Sequence, residues 1–252
     1  MTPPMTQILC EMISKADKVV AFTGAGMSTD SGIPDFRSPG GKWSRVTPVM
    51  FQDFMNDDAS RFEYWRQKSE GFAEFGAALP NEGHQILARW ERHRNLSGIV
   101  TQNIDGLHQD AGNKLVIELH GTAREIQCMH CNFRDIADEY CESFLRLQAV
   151  PSCPQCETGL LKHATISFGQ QLDDAVLRAA TTMVRAAEAS FPRTRIVMSA
   201  SCRRCRSKNV MGPFTPSARK RSSHSFVQWY CEPFSTHIEA WRCIHLGRGV
   251  TE

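Results

Sequence analysis

The chain has 252 residues, 41% of them apolar, and a net charge of +2: enough for one α/β domain with a small inserted module, and too little for two full-sized domains. Its apolar runs fall far short of the roughly 20 residues that a membrane-spanning helix needs, which argues against a membrane protein. The ten cysteines do not read as a disulfide scaffold either: four fall into Cys-x-x-Cys knuckles, and the N-terminal stretch, carrying Glu11 and Asp17, lacks the pattern of an export signal, so a cytoplasmic protein with metal-bound thiolates is expected.

Ile8, Leu9, Met12 and Ile13 recur at helical spacing and lead to Val19-Val20-Ala21-Phe22, whose β-branched and aromatic character suits a buried strand. That strand breaks at once into Gly24-Ala25-Gly26. Glycines after a strand let backbone N–H groups approach a pyrophosphate, and a following helical turn aims its positive end at the same oxygens. The spacing is not G-x-G-x-x-G; what sharpens the signal is Ile33-Pro34-Asp35-Phe36-Arg37, which sets a carboxylate, a ring and a guanidinium within one turn of loop. Residues 38–43 are loop by composition and are expected to lie over the ligand. Phe51, Phe54, Phe62, Tyr64, Trp65, Phe72 and Phe75 mark a mostly helical stretch whose aromatics are expected to be core rather than a stacking surface for nucleic acid.

Asn81 is a plausible N-cap for a helix that buries Ile86, Leu87 and Trp90, with His84 as a structural hydrogen-bonder. Residues 97–101 read as a second strand ending in Gln102, Asn103 and Asp105, and residues 115–119 as a third ending at His120. Strands whose C-terminal ends carry the polar residues predict a Rossmann-like parallel α/β sheet with its ligand crevice along that edge. An imidazole placed there, beside an Asn/Asp pair, is suited to proton transfer near neutral pH.

Cys128-x-x-Cys131 and Cys153-x-x-Cys156 can each place two thiolates on one ion, and together make a closed four-cysteine site typical of structural zinc; rubredoxin-like iron uses the same ligands. His130, between two ligands, is expected outside the coordination sphere. Residues 173–188 follow as an amphipathic helix with Val176, Leu177, Ala180, Met183, Val184 and Ala187 on one side.

GAGMSTDSGIPDFRS, TQNIDGLH at 101–108, Leu119-His120-Gly121 and the two cysteine knuckles, in that order, resemble the sirtuins, the NAD-dependent protein-lysine deacylases, over roughly residues 5–188. The resemblance implies NAD as co-substrate, one structural zinc, and acylated lysine on proteins as the partner. It further implies a two-stage reaction in which the acyl-lysine oxygen attacks the anomeric carbon, nicotinamide leaves, and the acyl group passes to the ribose. By the same resemblance His120 is the general base, Asn103 and Asp105 orient the ribose and a water, and Gln102 supports the ribose. Asp35 and Ile33 line the nicotinamide pocket, Ala25 adds to its wall, Phe36 shields the reacting face and Arg37 pairs with phosphates. Gly24, Gly26, Ser28 and Thr29 complete the cofactor contacts. Phe168, Gly169 and Gln170 belong to an extended segment that pairs with the peptide backbone.

The expected organisation is a Rossmann-like NAD-binding domain over 1–124 and 160–190, a four-cysteine zinc module over 125–159, and an atypical basic tail over 191–252, disordered or out of frame. From Pro192 onward there are 11 Lys and Arg against 3 Asp and Glu, a net +8, which leaves −6 for residues 1–191. Residues 195–201 resemble a remnant of the next strand; beyond them strand periodicity is lacking, and Cys202 and Cys205 form a knuckle with no partner pair. The tail could reach nucleic acid through charge alone. If the closing strands are missing, weakened NAD binding and aggregation follow, and the alternative to an active deacylase is an impaired fragment that only binds.

Overall fold

The computed structural model describes residues 13, 16–35, 46–93, 95–188, 197–201, 226–231 and 241–246. The predicted first helix, apart from Ile13, and the loop at 38–43 lie outside these residues, as do Phe36 and Arg37.

Strands β1 (Val19–Thr23), β2 (Leu96–Thr101) and β3 (Val116–Glu118) run parallel, with Thr23 level with Thr101 and Thr101 level with Glu118, so their polar C-terminal ends meet at one edge. The parallel sheet is buried on both faces, which is why β1 reads as an unbroken apolar run rather than an alternating one. Val19 and Ala21 point to one side, where Leu87 and the half-buried Trp90 of helix α3 (Glu82–His93) cover them. Val20 and Phe22 point to the other, against Ala180, Met183, Val184 and Ala187 of α6 (Asp174–Glu188). Each fully buried aliphatic side chain contributes roughly 1.5–3 kcal/mol. Two helix-face expectations shift: Ile86 and Leu177 are exposed, and Ala88 takes the buried position on α3.

Beyond β1 the sheet continues with β7 (Val197–Ser201) and β8 (Phe226–Cys231), both parallel, and β9 (Trp241–Leu246), antiparallel to β8, giving the order β3-β2-β1-β7-β8-β9. β7 coincides with the remnant strand at 195–201. β8 and β9 are strands where the sequence showed no period of two. FVQWYC and WRCIHL are rich in β-prone residues, and pairing makes them strands where the sequence carries no clean alternation to read.

A second, antiparallel sheet has the order β5-β4-β6, from β4 (Gly121–Cys128), β5 (Arg134–Ile136) and β6 (Leu161–Thr165). Helices α1 (Phe51–Asn56), α2 (Asp58–Ala77) and α5 (Asp138–Leu147) pack on it, and Phe54, Tyr64, Trp65, Phe144, Ile126 and Leu161 form one buried cluster. Trp65 donates its indole N–H to the Leu161 carbonyl (3.0 Å). The aromatics of 51–75 are therefore core, as expected, and they pack against the cysteine-bearing module.

Candidate active site

The strand order reverses at β1, which has β2 on one side and β7 on the other; the crevice outside that switch point is where a parallel α/β sheet binds its ligand. The glycine turn leaves β1 at this point. Gly24 is extended, Ala25–Met27 and Thr29–Ser31 form two single 3-10 turns, and Gly32 closes the second at φ +87, a conformation that favours glycine. The Thr29 hydroxyl donates to the Gly26 carbonyl (3.0 Å), and Ile33, whose N–H reaches the Ser28 carbonyl (3.2 Å), is buried at the end of the loop. Ala25, Gly26, Ser28, Thr29, Ile33 and Asp35 thus lie on one loop above β1.

Ser28 ties that loop to the end of β2. Its hydroxyl donates to Asp105 Oδ2 (2.6 Å) and accepts from Asn103 Nδ2 (3.0 Å), so three of the candidate residues form one buried hydrogen-bonded group. Asp105 Oδ1 accepts the Leu107 N–H (3.0 Å), the first N–H of the four-residue helix α4 (Leu107–Asp110). Gly106 precedes it at φ +73, where a Cβ would stand 2.4 Å from Arg124 Nε; that guanidinium donates to the Asp105 carbonyl (2.8 Å) and pairs with Asp110. The glycine of TQNIDGLH is there to let Arg124 in.

Beneath this group lies a chain the sequence reading did not find. The Thr23 hydroxyl donates to Thr101 Oγ1 (2.8 Å), which also accepts the Asn103 N–H (3.0 Å), so Thr23 receives the N–H of His108 Nε2 (2.9 Å) and His108 Nδ1 is left as an acceptor. On His84, Nδ1 accepts the Asn81 N–H (3.3 Å), leaving Nε2 as a donor. The rings stand edge to face with centroids 4.8 Å apart, and the two nitrogens without a partner among the described residues are of complementary type. Burial lowers both imidazoles from their ordinary value, His108 to about 3, with His84 adding to the effect on His108; both are neutral at physiological pH. Threonines at strand ends and a histidine opening a short helix are common, and only their register reveals the chain.

His120 sits just past β3, half-buried, with Nδ1 2.9 Å from the Gln102 carbonyl. A carbonyl only accepts, so Nδ1 carries the proton and Nε2 is the basic nitrogen. Gly121 follows at φ +67, with a Cβ position 1.9 Å from the Ala164 carbonyl oxygen, so any side chain there would push β4 off β6. The His120 carbonyl accepts the Ile166 N–H (2.8 Å), which brings the segment bearing Phe168, Gly169 and Gln170 beside the histidine. That segment is a turn rather than the extended strand expected: Gly169 has φ +78, Gln170 N–H returns to the Ser167 carbonyl (3.0 Å), and β6 ends at Thr165. Glu118, at the end of β3, is pushed up to about 7 by burial, reinforced by the negative charges of Asp105 and Glu125.

The four cysteine sulfurs lie within 4.8 Å of one another, with Cys128–Cys156 at 3.7 Å and Cys131–Cys153 at 3.6 Å. A tetrahedral site with bonds of about 2.3 Å has sulfur–sulfur edges of about 3.8 Å, so the set fits one zinc ion. The N–H groups of His130 and Cys131 point at Cys128 Sγ (3.3 and 3.4 Å), as they do around a thiolate, while the His130 side chain is outside the set. Gly159 passes so close that a Cβ there would stand 2.1 Å from Cys128 Sγ and 2.7 Å from Cys156 Sγ.

The model of the Sir2 family matches residues 24–191. An NAD-dependent protein deacetylase of Rhodopseudomonas palustris is 42% identical over 179 residues, 70% of each chain, and one of Thermodesulfovibrio yellowstonii is 41% identical over 181 residues, 72% of this chain and 70% of the relative. Among solved structures, a Sir2 homolog in complex with NAD superposes with a TM-score of 0.66 at 33% identity, covering 78% of this chain and 72% of that one. A Sir2 protein with deacetylated p53 peptide and 3'-O-acetyl ADP ribose gives 0.67 at 29% identity, covering 78% and 76%. The switch-point crevice, the joined Ser28, Asn103 and Asp105, and the four-cysteine cluster are thus found in a chain whose relatives are named NAD-dependent protein deacetylases, and this chain belongs to the Sir2 family.

Proposed function

We infer that this chain is an NAD-dependent protein-lysine deacylase that converts acyl-lysine, NAD and one water to lysine, nicotinamide and O-acyl-ADP-ribose. The observation that carries the reading is the state of His120: the Gln102 carbonyl holds its proton on Nδ1, which leaves Nε2 basic at the edge of the crevice. In this reading, once the acyl oxygen has added to the anomeric carbon and nicotinamide has left, Nε2 accepts a proton from a ribose hydroxyl whose oxygen then attacks the acyl carbon. Asn103 and Asp105, locked to Ser28, orient the ribose, and Gln102 supports it. Asp105 also sets a negative charge near a centre that gains positive character as nicotinamide leaves. Gly24, Ala25, Gly26, Thr29, Ile33 and Asp35 line the nucleotide side; Phe36 and Arg37 join them on the family resemblance, and Phe168, Gly169 and Gln170 take the peptide. Zinc on Cys128, Cys131, Cys153 and Cys156 supplies folding free energy to the module.

A second reading, an impaired chain that binds nucleic acid through its tail, is favoured only by the net +8 beyond Pro192. Calorimetric titration separates the two. Heat on adding NAD, with nicotinamide released once an acetyl-lysine peptide is present, is the expected result; no NAD binding together with salt-sensitive binding of an oligonucleotide would favour the second reading.

A further inference from the structure

Lys162 is fully buried on β6, where its ammonium donates to three uncharged oxygens: the carbonyls of His163 (3.1 Å) and Thr165 and Gln170 Oε1 (3.3 Å). The groups around it do not offset its charge. The Tyr64 ring lies 5.9 Å from Nζ, and Lys68 of the same helix, α2, stands over that ring as well (5.6 Å). Removing an ammonium from water is expensive, and such a group persists where its hydrogen bonds are all made.

Two of its acceptors, Thr165 and Gln170, bracket a single turn, and that turn is held from both sides. From outside, Phe51 N–H at the start of α1 donates to the Phe168 carbonyl (2.8 Å) and Ile166 N–H to the His120 carbonyl (2.8 Å). From inside, Gln170 Oε1 accepts both Lys162 Nζ and Ser167 N–H (3.0 Å), so the Gln170 side chain relays the lysine to the turn. We propose that Lys162 is a positioning residue for the acyl-lysine substrate: through Gln170 and the Thr165 carbonyl it holds residues 165–170 in the shape that receives the peptide backbone. This rests on the reading of Phe168, Gly169 and Gln170 as the peptide-binding segment.

The test uses the full chain at pH 6, where the side chain is an ammonium with three N–H donors for its three acceptors. Binding of a fluorescein-labelled acetyl-lysine peptide is read by anisotropy and binding of NAD by calorimetry. Lys162→Met keeps the bulk and removes the donors, and should weaken peptide binding about tenfold while NAD affinity stays within about twofold. Gln170→Ala should weaken the peptide in the same selective way, and the double variant should fall clearly short of the product of the two single effects, because both share the link from Lys162 to Gln170. Effects that multiply in the double variant, equal losses for peptide and NAD, or an unchanged peptide affinity would each overturn the proposal. If Lys162→Met fails to fold, Gln170→Ala still decides: peptide affinity equal to wild type overturns it. Phe168→Ala separates the underlying reading. A weakened peptide in Phe168→Ala beside an unaffected Lys162→Met removes only the role of the lysine, whereas an unaffected Phe168→Ala removes the peptide-binding assignment and the proposal with it.

Discussion

At His120 the Gln102 carbonyl selects the tautomer with Nε2 basic, and the His120 main chain is fastened to Ile166, so the ring is aimed from two directions. Replacing it with alanine removes proton transfer and leaves the Ser28, Asn103 and Asp105 group intact. His120→Ala should therefore lower turnover by about a hundred- to ten-thousandfold while NAD still binds, as measured by nicotinamide release and calorimetry. Near wild-type turnover would remove the general-base role. Lys162 gives a second prediction at this scale. Burial, then the charge of Lys68, pushes it down to about 7 from an ordinary value of 10.5. Below pH 7 both folded and unfolded chains carry its proton, and the folded state bears the full penalty of a buried charge. Between pH 7 and 10.5 the unfolded chain holds a proton that the folded chain lacks, so this group makes stability rise with pH. The urea midpoint of wild type relative to Lys162→Met should rise between pH 6.5 and 9; a constant difference would show that the lysine titrates normally. His120, Asn103 and Asp105 were legible as motif residues. His84 was read as a structural hydrogen-bonder, but its pairing with His108 and the role of Lys162 were not legible, because they follow from burial and tautomer, and a lysine in Leu-Leu-Lys-His-Ala shows neither.

Between the metal site and the crevice run two strands. β4 pairs with β6 from Gly121 opposite Thr165 at the crevice end to Cys128 opposite Leu161 at the sulfur end, so the cysteine cluster anchors the ladder that carries Gly121 and leads into the turn at residues 165–170. The geometry at Gly159 leaves no space for a methyl group beside Cys128 and Cys156. Gly159→Ala should reduce bound zinc to well under one ion per chain after dialysis against a mild chelator, and should weaken the module's folding with it. A full complement of zinc, by metal analysis, would mean that the backbone there moves aside without penalty. Strands β1, β2 and β3 were legible from their β-branched runs and the knuckles from their spacing. The turn at residues 165–170 was not: the family resemblance implied an extended segment, whereas its shape comes from Gly169 at positive φ and from the Gln170 side chain folding back.

Over the whole molecule, the reversal of strand order at β1 places the glycine loop, the polar end of β2 and His120 along one sheet edge, while the antiparallel sheet and its helices bring up the turn at residues 165–170 beside the histidine. Chain order alone shows that these motifs exist; only the switch point explains why they meet. β7, β8 and β9 extend the sheet on the far side of β1, where the sequence offered one recognisable strand and two that pairing reveals. No helix among the described residues is long and apolar enough to cross a membrane. The most direct measurement is mass-spectrometric analysis of the full chain incubated with NAD and an acetyl-lysine peptide. Deacylation that consumes NAD yields deacetylated peptide, nicotinamide and O-acetyl-ADP-ribose in equal amounts, and that is the result expected here. Free acetate with NAD unconsumed, or no change in the peptide while wild-type chain binds NAD, would contradict the account.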